Sequence, residues 1–214
     1  MKTNFIEPKT VAAAITIASI AHATGADKTS SVDDLLTQLK DDKTRAQAWD
    51  MAATIGAPAV KALAQLLPNP DFELARAAKR ALQRIVRHAN RPGADKERVA
   101  VVKELLPFAD KKHPLNARRD VLWMLGEIAS DEAISVIANI LTEEDLREDA
   151  RMTLERIPGN ASLKALQKGL KSVPEKFKYN MASSLRARGV PVKEYPSQRL
   201  VPTKATTVKI NKAV

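Results

Sequence analysis

One phrase of apolar and polar positions returns along the chain and orders everything else in it. Its clearest copy is Leu146-Arg147-Glu148-Asp149-Ala150-Arg151-Met152-Thr153-Leu154-Glu155-Arg156-Ile157, or apolar-basic-x-x-Ala-x-x-x-Leu-x-x-Ile. Residues three, four and seven before the closing isoleucine share one face of a helix. Arg45, Ala48, Ala52 and Ile55 form a second copy, and Leu74, Ala75, Ala78, Leu82 and Ile85 a third. Ala117, Arg118, Val121, Leu125 and Ile128 form another, and Phe177, Lys178, Met181, Leu185 and Arg188 a degenerate last one. Each copy follows a shorter stretch with its own apolar face. The pattern therefore predicts helix pairs: Val32 to Lys40 with Lys43 to Ile55, and Ala59 to Leu67 with Phe72 to His88. Asp95 to Phe108 pairs with Leu115 to Ala129, Glu132 to Leu141 with Asp145 to Ile157, and Ala161 to Leu170 with Glu175 to Arg188. Ser31, Asp71 and Asn160 read as helix caps. Gly56 closes one helix and Pro58 opens the next.

Closing positions lie 30, 43 and 29 residues apart between Ile55, Ile85, Ile128 and Ile157. Loops at 89–94 and 109–114 account for the long interval. With its register kept in every copy, the phrase resembles the B helix of HEAT-like repeats, of the short bacterial variety also found in phycobilisome lyase-type proteins. The resemblance covers roughly residues 31–188. It implies an all-α fold, an α-solenoid of about five helix pairs with B helices along a concave face. It leaves function open, because such repeats serve many roles.

The ends differ from the repeats. Lys2 and Lys9 precede an uncharged apolar run from Val11 to Ala23, and Ala21-His22-Ala23 fits the small-x-small rule for signal cleavage. A cleaved signal over 1–23 is expected, which would make the protein periplasmic or secreted. The alternatives are an uncleaved anchor or an apolar helix packed on the first repeat of a cytoplasmic protein. Residues 24–30 read as a polar linker, 31–189 as the repeat domain, and 190–214 as a basic extended tail. The tail is read either as a disordered end or as an arm that docks on the repeats or a partner. Thr206 to Ile210 has strand character if it meets a sheet edge.

Composition narrows the function classes. The absence of cysteine removes disulfides, thiol nucleophiles and thiolate metal sites. A net charge of +10 favours acidic partners: nucleic acid, anionic lipid, or an acidic protein or polysaccharide. His88 and His113 have no second ligand at helical spacing, and no phosphate loop, nucleophile elbow or His-Glu-x-x-His occurs. Deoxyhypusine hydroxylases, iron enzymes on a HEAT-like fold, resemble this chain only in scaffold, since their His-Glu pairs do not occur here. Neither an enzyme activity nor a cofactor or metal is expected. Asn160-Ala161-Ser162 also spells a glycosylation sequon.

The register identifies outward positions. Five residues before each closing position stand Asp50, Arg80, Trp123, Met152 and Ser183; nine before stand Ala46, Arg76, Arg119, Glu148 and Tyr179. Trp123, Met152 and Tyr179 are read as an apolar patch flanked by arginines, with Trp123 packed sideways on a neighbour as the alternative. Arg76, Arg80, Arg84, Arg87 and Arg91 form a stripe on one helix face, bordered by Lys79. A solvated face explains such a stripe. Yet like charges at that spacing repel each other, and without nearby carboxylates the arrangement is mildly costly, which points to an acidic partner; Arg118, Arg119, Lys111 and Lys112 extend the basic zone. The expectation is a non-catalytic scaffold that binds an acidic protein through Arg76, Arg80, Arg84, Arg119, Trp123, Met152 and Tyr179. A HEAT-like nucleic-acid-binding protein or DNA glycosylase, with Trp123, Asp120 and the arginines as nearest equivalents, and a cofactor lyase-like protein are the alternatives.

Overall fold

The computed structural model describes residues 25–197, with side chains from residue 32 onward. Ten α-helices and no strand occur among them. They are α1 (Gly25–Lys40), α2 (Arg45–Ile55), α3 (Ala57–Gln65), α4 (Phe72–Ala89), α5 (Asp95–Leu105), α6 (Leu115–Ile128), α7 (Ile134–Ile140), α8 (Arg147–Arg156), α9 (Asn160–Ser172) and α10 (Glu175–Ala187). Each odd-numbered helix packs on the even-numbered helix that follows it. The even helices also contact one another in chain order: α2 on α4, α4 on α6, α6 on α8, and α8 on α10.

The phrase explains this packing. At the positions three, four and seven before closure, Ala78, Ala81 and Leu82, then Val121, Met124 and Leu125, are completely buried. Thr153 is buried at the equivalent place because its hydroxyl donates to the Leu122 carbonyl of α6 at 2.9 Å. Small residues allow close approach. A Cβ on Gly169 of α9 would meet Met181 of α10 at 2.7 Å and Leu141 at 2.8 Å.

The basic residue of the phrase has a structural task. In three copies its Nε donates to a carbonyl at the end of the preceding segment: Arg45 to Leu39 at 3.0 Å, Arg118 to Ala109 at 2.9 Å, and Arg147 to Leu141 at 2.9 Å. The C-terminal carbonyls of a helix lack intrahelical donors, and a guanidinium supplies one. At the last closing position Arg188 does similar work between units. It donates to the carbonyls of Leu154, Glu155, Ile157 and Gly159, and to the Ser162 hydroxyl.

Several expectations change. The linker expected over 24–30 is helical from Gly25, and Ser31 lies inside α1 instead of capping it. No proline interrupts 25–40, so nothing in the chain stops the helix there. Asn160 opens α9 as its first residue, while Gly159 at φ 95° is the cap; glycine reaches that conformation without strain. The helix expected to run to Phe108 tightens into a 3₁₀ turn at Leu106–Ala109, where Pro107 has no N–H to give. Asp71 does cap α4, accepting from the Glu73 and Leu74 amides.

The described part of the tail is docked. Val190 and Val192 pack against the core, and Arg186 donates to the Val192 and Tyr195 carbonyls. Tyr195 meets Tyr179 edge-on, with centroids 5.4 Å apart. The suggested strand at 206–210 and the suggested signal at 1–23 lie outside the described residues.

Candidate interaction surface

All five positions marked as outward by the five-residue offset are exposed: Asp50, Arg80, Trp123, Met152 and Ser183. Trp123 is 37% and Met152 39% exposed, on the adjacent helices α6 and α8. The Trp123 ring carries the Arg156 guanidinium 5.8 Å from its centroid. The side chain is exposed and has an arginine of the neighbouring helix α8 over its ring. Tyr179 is half-buried beside Tyr195, so it belongs to the tail contact more than to a patch with Trp123.

The arginine stripe on α4 is less bare than it looks in sequence. Arg76 pairs with Glu73 at 2.7 Å, Arg84 with Asp50 at 3.8 Å, Arg87 with Glu127 at 3.9 Å, and Arg91 with Glu97 at 2.6 Å. Lys79 reaches Asp120 of α6 at 2.7 Å. The stripe is therefore not without carboxylates: Glu73 and Glu97 lie near it in sequence, and α2 and α6 bring Asp50, Asp120 and Glu127 beside it. Such exposed pairs contribute about 0–1 kcal/mol each, so they orient side chains more than they stabilise the fold. Hydrogen bonds from Arg91 and Arg151 hold the Glu97 and Glu148 carboxyls below their ordinary range.

Arg118 leaves the basic zone altogether. Its side chain is 7% exposed and makes paired contacts with Glu143 at 2.8 and 2.9 Å. Arg119, one residue on, points to the surface and links α6 to the start of α8 through Asp149 at 3.0 Å and the Asp145 carbonyl at 2.9 Å. Arg151 is held by Glu148, Glu155 and Ser184 between α8 and α10.

Three grooves lie beside exposed basic groups. A groove of about 480 Å³ runs between α4 and the start of α6, lined by Leu67, Pro70, Phe72, Arg76, Arg80 and Asp120 among others. A second, of about 500 Å³, holds Asp50, Thr54, Arg84, Arg87, His88 and Arg91. A third, of about 430 Å³, lies under the tail between Arg151, Tyr179, Arg186 and Pro196. The sequence reading missed Phe72. It is 71% exposed at the first position of α4, outside the span that the phrase marks. Among the described residues no group of three or more His, Asp or Glu is placed to hold a metal ion, and no helix is long and apolar enough to cross a membrane.

No family model matches the chain, and neither does any curated protein. Among solved structures, it is similar to an engineered protein from the Northeast Structural Genomics Consortium, at 21% identity over 78% of this chain and 75% of that one, with a TM-score of 0.39. At that level the likeness adds nothing to the reading of the fold or of the surface.

Proposed function

We propose that this protein is an exported α-solenoid of five HEAT-like helix pairs, and that it acts as a non-catalytic scaffold for an acidic protein partner. The observation that carries this reading is the exposed row on the even-numbered helices. Arg80, Trp123 and Met152 occupy one register position in successive pairs and are all open to solvent. A row of this kind presents aromatic, aliphatic and guanidinium groups at intervals fixed by helix packing. Such groups dominate binding energy at protein interfaces. The strongly positive net charge, +10 over the full sequence, would speed encounter with an acidic surface.

The alternative glycosylase reading finds less support in the geometry. Asp120, its nearest equivalent of a working carboxylate, is engaged by Lys79 at 2.7 Å. Trp123 is accompanied by Arg156.

Affinity capture tests the scaffold reading. Tagged protein recovered from an exported fraction should begin at Thr24 and retain a defined acidic partner. Arg80→Glu combined with Trp123→Ala should lose that partner by at least about tenfold, equivalent to about 1.4 kcal/mol. Identical partner sets for wild type and double variant would refute the face.

A further inference from the structure

Arg80 differs from the other arginines of α4. Arg76, Arg84 and Arg87 each have a carboxylate partner, whereas Arg80 forms no ion pair or side-chain hydrogen bond among the described residues. Its guanidinium instead lies over the Trp49 ring of α2, 5.0 Å from the centroid. Stacking on an aromatic face fixes a guanidinium without consuming its in-plane N–H donors. An exposed arginine is thus pre-oriented with its fork free.

Arg80 also lines the groove of about 480 Å³ between α4 and α6. Part of its lining is apolar: Leu67, Pro70, Ala75 and Phe72, which is 71% exposed. The rest includes Arg76, Lys79 and Arg80, with Asp120 as the one carboxylate in the lining. Asn116, in the first turn of α6, also lines it, and the helix start there adds positive potential. The groove with Arg84 and Arg87 is equally basic but has no comparable apolar anchor, and carboxylates already face both arginines.

Resting on the scaffold reading above, we propose that this groove is where the partner is held. Its occupant is a short acidic peptide segment, with one carboxylate on the Arg80 fork and an adjacent large apolar side chain against Phe72, Leu67 and Pro70. Planar two-point pairing suits carboxylate to guanidinium. A nucleic-acid backbone fits less well, because phosphate binding needs a run of free cations and only Arg80 of these is unpaired. The apolar wall would also lack a complement.

The test uses the full chain and a fluorescein-labelled peptide, DEDLFDED, in an anisotropy titration. Saturable binding is expected, weakened about tenfold by Arg80→Gln and by Phe72→Ala. The peptides NQNLFNQN and DEDGGDED should each bind at least about tenfold more weakly than DEDLFDED. Both variants change exposed residues, and unaltered helical circular dichroism would confirm that each folds. No binding by wild type, equal binding by the variants, or preference for labelled duplex DNA over the peptide would overturn the proposal. Trp123→Ala, outside the groove, separates the two readings. If the peptide fails while partner capture still depends on Trp123, the groove falls and the wider face stands. If capture is also indifferent to Trp123, the scaffold reading falls with it.

Discussion

Replacing Arg118 with alanine is expected to destabilise the protein by about 3 kcal/mol, read as a lower urea midpoint with an unchanged slope. The side chain is 7% exposed and its partner Glu143 18% exposed. It joins the 3₁₀ turn ending at Ala109 to α6 through its Nε, and the end of the α7 segment to α6 through Glu143. Removing the guanidinium strands a carboxylate and a backbone carbonyl in a site with little water. Partial access of water to Glu143 places the loss at the lower end of the range for broken buried pairs, about 3–5 kcal/mol. Arg118→Met with Glu143→Leu should recover most of the stability, because the stranded charge is then gone. Arg119→Ala, at the neighbouring exposed arginine, should cost less than about 1 kcal/mol. Equal losses at the two positions would contradict the burial argument.

Arg188→Ala is expected to cost about 2–3 kcal/mol. One guanidinium serves four carbonyls and one hydroxyl around the α8–α9 junction, at 2.9 to 3.3 Å. Bonds to a charged donor contribute about 1.5–3 kcal/mol where the acceptors have no alternative, but exposed acceptors such as Gly159 will find water. The loss should therefore be smaller than a sum over all five contacts. Arg188→Lys should restore only part, since an ammonium cannot span the fan of acceptors that the planar fork reaches. Hydrogen exchange should quicken first in Thr153 to Ser162, the stretch that Arg188 ties together. Uniform quickening across all helices would indicate a different role.

These two arginines show what could be read along the chain and what could not. The apolar beat of the phrase was legible because burial follows helical period: Ala150 and Leu154 are sealed, while Met152 between them is open. The basic residue of the phrase was visible as a recurrence, but its purpose was not. Arg118 and Arg119 are adjacent and identical in chemistry, and only the approach of Ala109 and Glu143 makes one of them internal. The α4 stripe was misjudged for a related reason. Asp50 and Glu127 lie 34 and 40 residues from Arg84 and Arg87 in sequence, and it is packing that makes them neighbours. Phe72 escaped because a residue at a helix start belongs to no apolar stripe. The stacking of Arg80 on Trp49 likewise requires α2 beside α4, a contact that composition does not encode.

The most direct measurement is amide hydrogen exchange on the chain alone and bound to its captured partner. The account predicts new protection along the outward faces of α4, α6 and α8, strongest near Phe72 to Arg80, with α3, α5, α7 and α9 unchanged. Protection confined to those odd-numbered helices, or to the docked segment 190–197, would contradict it.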